Sequence, residues 1–94
     1  MSAPAILVFV MEGCGACHDY VPRAARIAHA YRNRGLSSFQ IKDMARDKDA
    51  LRLADRMGVQ ATPTTFFQSR TGVVKRVGAL EDAQIQAHIE RIVR

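Results

Sequence analysis

The stretch that decides the fold is Ala5–Pro22, AILVFVMEGCGACHDYVP. It opens on an unbroken apolar run, Ala5 to Met11, about the length of one buried strand. Glu12 and Gly13 end that run. The only two cysteines follow, in Cys14-Gly15-Ala16-Cys17. From Ala16 onward Tyr20, Ala24, Ile27, Ala28 and Tyr31 recur at helical spacing. The two thiols therefore fall where a buried strand hands over to a helix. Cys14 lies at the helix start and Cys17 one turn in, on the same face. Unpaired backbone N–H groups and the positive end of the helix dipole favour a thiolate there. The thiolate is the form of cysteine that attacks disulfides.

Working outward, strand Ala5–Val10 is followed by a helix expected over Ala16–Arg34, with Pro22 inside it and Gly35 as its stop. Met1–Pro4 reads as a loose lead. Phe39–Met44 reads as a second strand, with Phe39, Ile41 and Asp43 on one face. Asp47 or Asp49 suits the N-terminus of a helix over Lys48–Met57, whose apolar positions are Leu51, Leu53, Ala54 and Met57. Thr64–Gln68 is β-branched and aromatic, hence a third strand. The turn composition of Ser69–Gly72 makes Val73–Val77 its hairpin partner. A last helix spans Glu81–Val93, with Ala83 or Leu80, Ile85, Ile89, Ile92 and Val93 toward the core. Tyr20, Tyr31, Phe39, Phe66 and Phe67 are read as core, and Met11, Met44 and Met57 as core filler. The order β-α-β-α-β-β-α specifies one α/β domain over residues 1–94. It combines a parallel, right-handed strand–helix–strand unit with an antiparallel hairpin, in a four-stranded mixed sheet with helices on both faces.

Composition sets the outer bounds. The chain has 94 residues, 48% of them hydrophobic and 24% charged, which suits one modest core. No apolar run reaches the roughly 18 residues of a membrane span. No Lys or Arg precedes Ala5–Met11, and Glu12 follows it directly, which argues against a signal peptide. The expected location is the cytoplasm, with no membrane partner. The net charge of +5 comes largely from eleven arginines. They are spread along the chain with no basic run, so nucleic acid is not an expected partner. A disulfide closed over so short a loop removes little chain entropy, on the order of 2 kcal/mol against about 5 for a hundred-residue loop. A C-x-x-C pair in a cytosolic βαβ setting more often cycles between dithiol and disulfide.

The element order, with C-x-x-C opening the first helix, resembles the thioredoxin fold across Ala5 to Val93. Pro22 lies eight residues after Cys14, where thioredoxins have the proline of the active-site helix. Ala61-Thr62-Pro63-Thr64 stands where they carry a cis-proline before a core strand. Val77-Gly78-Ala79-Leu80 matches the segment after their last strand. The resemblance implies a thiol–disulfide oxidoreductase acting on protein disulfides. Cys14 would be the nucleophile and Cys17 the resolving thiol. Thr62 and a cis Pro63, with Gly13 and Gly78, would form the substrate groove. The partners implied are disulfide-containing proteins and an electron donor such as thioredoxin reductase or glutathione, with no cofactor.

The chain also departs from that family. The first extra strand and helix are missing. Gly13 replaces a tryptophan, Ala16 a proline, and Val8 the buried aspartate behind the cysteines, for which Glu12, Asp19 or water would substitute. Gly78-Ala79-Leu80-Glu81-Asp82 is half of a glutaredoxin-like glutathione signature. Glutathione-linked, isomerase or oxidase activity, or a binding module without turnover, are the alternatives. Cys14–His18 also formally fits the C-x-x-C-H pattern for haem attachment. Zinc would need two more ligands, and His29 and His88 lie in no paired motif.

Overall fold

The computed structural model describes residues 3–94. Met1 and Ser2, half of the expected lead, lie outside the described residues. The elements are β1 (Ala5–Val10), α1 (Gly15–Ala30), a single 3-10 turn (Arg32–Arg34), β2 (Ser38–Asp43), α2 (Lys48–Arg56), β3 (Thr64–Ser69), β4 (Gly72–Val77) and α3 (Asp82–Ile92). The sheet order is β2-β1-β3-β4. β1 pairs parallel with β2 and antiparallel with β3, and β4 closes the hairpin with β3. This is the α/β fold expected from the sequence.

Strand alternation sorts β1 into two cores. Ile6 and Val8 pack with Tyr20, Ala24, Ala28 and Phe67 on the face covered by α1 and α3. Phe9 packs on the other face with Phe66 and Ala54 of α2, its ring edge-on to Phe66 at 5.6 Å. β1 and β3 are the inner strands, so both their faces are covered. β4 is an edge, and Val73, Val74 and Val77 stay exposed on it.

Several element details differ from the sequence reading. The first helix ends at Ala30. Tyr31 caps it, one 3-10 turn follows, and Gly35 reverses the chain at φ 112°. The tighter turn lets the last carbonyls find donors, as in Arg34 N–H to Tyr31 O at 2.9 Å. Leu51 was expected inside but is 47% exposed. The buried line of α2 is Ala50 and Ala54, four residues apart, and Leu51 falls one step off that line. Asp47 is the cap of α2, its Oδ1 accepting the Asp49 N–H at 2.9 Å. Leu80 is buried where Ala83 is exposed, so the core residue precedes α3. Met11 is 38% exposed and not core filler, because the chain leaves the sheet one residue earlier. Ile41 is 50% exposed because β2 is an edge strand.

Candidate functional site

Register brings the sequence-expected site residues to one end of the sheet. Phe9 pairs with Thr64, and Thr64 with Val77. The turn after β1, the Thr62–Pro63 segment before β3 and Gly78 after β4 therefore meet at the same end. Met11 O accepts the Cys14 N–H at 3.2 Å, closing a turn over Glu12 and Gly13. Gly13 adopts φ +84°, which an L side chain takes only with strain. A Cβ there would meet open space, so the turn presents bare backbone beside Cys14.

Cys14 is the N-cap of α1. Its Sγ accepts the Cys17 N–H at 3.2 Å, so one orphan donor of the helix end points at the sulfur. Cys14 and Cys17 form a disulfide with Cα atoms 5.3 Å apart, inside the ordinary range for such a bond. Cys14 is half-buried, whereas Cys17 is 8% exposed. The two sulfurs thus differ in access, with Cys14 outermost. His18, next on the helix, is exposed.

At the same end of the sheet, the Thr62–Pro63 peptide is cis, with Pro63 buried and Thr62 half-buried. Gly78 donates its N–H to Pro63 O at 2.8 Å, which holds the two segments side by side. Arg23 ties this end to α1. Its Nη1 donates to Leu80 O at 2.8 Å and to Asp82 Oδ1 at 2.7 Å. The Asp82 bond, followed by that from Asp19, raises the Arg23 pKa against the opposing effect of burial.

Behind the cysteines, Val8 is fully buried in an apolar cluster. Its register partner Thr65 accepts or donates a hydrogen bond with Tyr20 Oη at 2.8 Å. Burial raises the Tyr20 pKa, offset in part by that bond and by Arg23 and Arg76. Of the two acidic substitutes considered for the aspartate, Asp19 pairs with Arg23 on the surface. Glu12 lines a cavity that reaches both cysteines.

That cavity, of about 420 Å³ between α1 and the end of β2, was not foreseen. Ile41, Asp43 and Arg46 contribute to it. The signal was the parallel strand–helix–strand unit, which sets the end of β2 beside the end of β1. His88, outside the site, is buried and stacked on Phe67 at 4.6 Å, with Arg76 Nη1 2.7 Å from its Nε2.

Comparison with known proteins adds an independent line. The thioredoxin family model matches residues 1–91. A search of curated proteins finds no match. Among solved structures, thioredoxin of Fasciola hepatica superposes with TM-score 0.75 at 21% identity, over 96% of this chain and 81% of that one. Mitochondrial thioredoxin 3 of Saccharomyces cerevisiae, in its oxidized form, gives 0.76 at 18%, over 97% and 80%. MTB dsbF, solved in mixed oxidized and reduced forms, gives 0.80 at 13%, over 98% and 82%. At such identities the structures speak for the fold alone. The family match spans nearly the whole chain, including the disulfide-bonded Cys14–Cys17 pair at the start of α1, and so the chain belongs to the thioredoxin family.

Proposed function

We propose that the protein is a thiol–disulfide oxidoreductase that reduces disulfides in other proteins, with Cys14 as nucleophile and Cys17 as resolving thiol. The observation that carries this reading is the N-cap position of Cys14, where a helix N–H meets its Sγ and solvent reaches it more readily than Cys17. A negative sulfur is favoured at that position. In the reduced protein, Cys14 thiolate attacks one sulfur of a substrate disulfide. A Cys14–substrate bond forms, the substrate S–S bond breaks, and the first substrate thiolate leaves and takes a proton. Cys17 then loses its proton and attacks Cys14 Sγ. The Cys14–Cys17 bond forms and the second substrate thiolate leaves. Two electrons have passed from the protein to the substrate. The dithiol of a thioredoxin reductase, or two molecules of glutathione that leave as glutathione disulfide, restores the reduced pair. A reducing cytoplasm is the setting this reading assigns.

Gly13, Thr62, Pro63 and Gly78 are the proposed docking surface. Backbone at Thr62 and the two side-chain-free positions would accept an extended substrate segment, as in strand addition. The test is a pair of variants. Cys17→Ser should accumulate mixed disulfides with proteins, visible on a non-reducing gel and released by dithiothreitol. Cys14→Ser should trap none and should not reduce insulin. Trapping by Cys14→Ser alone would reverse the roles. Full insulin reduction by both variants would end the redox reading.

A further inference from the structure

The cavity between α1 and β2 has no part in the exchange steps above. It shares Gly13, Cys14 and Cys17 with the site, yet Thr62, Pro63 and Gly78 do not line it. The strand order explains the separation. β2 and β3 flank β1 on opposite sides, so the cavity and the Pro63 segment lie on opposite sides of the Cys14 turn. A substrate joined to Cys14 through sulfur therefore sits between two surfaces, only one of which is accounted for.

The chemistry of the second surface is legible. Its wall is Val10, Met11, Val21 and Ile41. Met11 and Ile41 are 38% and 50% exposed, so apolar area faces water at this one mouth. The charges at the rim oppose one another: Arg46 Nε lies 3.9 Å from Asp43 Oδ2, and Glu12 and His18 stand nearby. No single sign dominates, so the site does not select an ion. Its volume of about 420 Å³ lies within the range of small-ligand pockets. A large apolar side chain gains most from such a wall, and an aromatic ring gains most of all.

We propose that this cavity is a specificity pocket that takes a large apolar side chain flanking the substrate cysteine that Cys14 attacks. The proposal rests on the disulfide-exchange reading of the site. It adds the substrate class: disulfides with an aromatic or long aliphatic neighbour. The tether supplies the proximity, because residues beside the attacked cysteine are carried to the mouth as the mixed disulfide forms.

The test uses reduced full-length protein and two symmetric peptide disulfides, dimers of Ser-X-Cys-X-Ser with X as Phe or Ala. Single-turnover reactions are acid-quenched and resolved by mass spectrometry. The Phe peptide should react about tenfold faster than the Ala peptide, at the low end for hydrophobic-pocket discrimination because the pocket is open. Ile41→Asn should bring that ratio close to one. Met11→Gln, the second variant, should lower it too. Each ratio is internal to one variant, so a general loss of activity does not imitate the effect. A wild-type ratio near one overturns the pocket, as does an unchanged ratio in both variants. Bis(2-hydroxyethyl) disulfide, which carries no apolar side chain, separates the two levels. If it oxidises the wild type while the peptide ratio is one, only the pocket falls. If it and both peptides leave the wild type reduced, the exchange reading falls, and the pocket with it.

Discussion

Tyr20→Phe removes one oxygen from the middle of the protein. Tyr20 and Thr65 are both essentially inaccessible, and their hydroxyls meet at 2.8 Å between α1 and β3. The ring itself packs against Ile6, Val8 and Phe67, and phenylalanine preserves that contact. The loss is then the net worth of one hydrogen bond, about 1 kcal/mol, plus part of the penalty for a Thr65 hydroxyl stripped of this partner. A total of about 2 kcal/mol follows, within roughly 1–3. For a domain of this size that lowers Tm by about 8–16 °C, taking about 4–8 °C per kcal/mol. Urea unfolding followed by far-UV circular dichroism measures it, with the m-value unchanged.

The double variant Tyr20→Phe/Thr65→Val supplies the control. It removes both polar groups and should recover about 1 kcal/mol or more of the loss, since replacing both partners by apolar groups is close to neutral. A raised phenol pKa adds a pH signature. Tyr20 is kept neutral in the fold, so its stabilisation is full below pH 10 and is lost as pH rises through the higher folded value. The variant should therefore lose less stability than the wild type in alkali. A Tyr20→Phe stability within about 0.5 kcal/mol of wild type would rule out a buried bond of this worth. Strictly additive single losses in the double variant would do so as well. Because Tyr20 lies one turn beyond Cys17, this bond also fixes how the helix that carries both cysteines sits on β3.

Two further outcomes are expected. Burial first, then the Arg76 and Arg91 charges, hold the His88 pKa below 6.5. The neutral ring accepts the Arg76 N–H, so stability should be full above about pH 6.5 and decline as pH falls through the lower folded value. His88→Gln should flatten that decline in a series of urea melts, and an unaltered slope would contradict the assignment. Gly35 holds φ +112°, and an added Cβ would sit 3.3 Å from Val93 Cβ. Gly35→Ala should cost about 1–2 kcal/mol for the left-handed backbone, plus the shift of Val93. A thermal melt equal to that of wild type would refute this.

Much of the molecule is written in local sequence. The apolar run Ala5–Val10, the break at Gly35 and the turn at Ser69–Gly72 are short-range signals, because strand period, helix stops and turns depend on neighbours in the chain. The C-x-x-C at a strand-to-helix boundary located the two cysteines for the same reason, and Thr62–Pro63 stood out by family resemblance. What lay beyond reach depends on which residues end at an edge. Leu51 has the chemistry of a core residue, but burial on α2 follows the Ala50–Ala54 line that faces the sheet. Met11 reads as core in sequence and stands exposed because the chain leaves β1 at Val10, and Ile41 is exposed because β2 has no neighbour on its outer side. The hydroxyl pair of Tyr20 and Thr65, 45 residues apart, arises only when α1 is laid across β3. The cavity beside Cys14 likewise needs the parallel register of β1 and β2, which brings Val10 opposite Asp43. Local sequence chose the elements and the reactive sulfurs; packing between distant elements chose which side chains surround them.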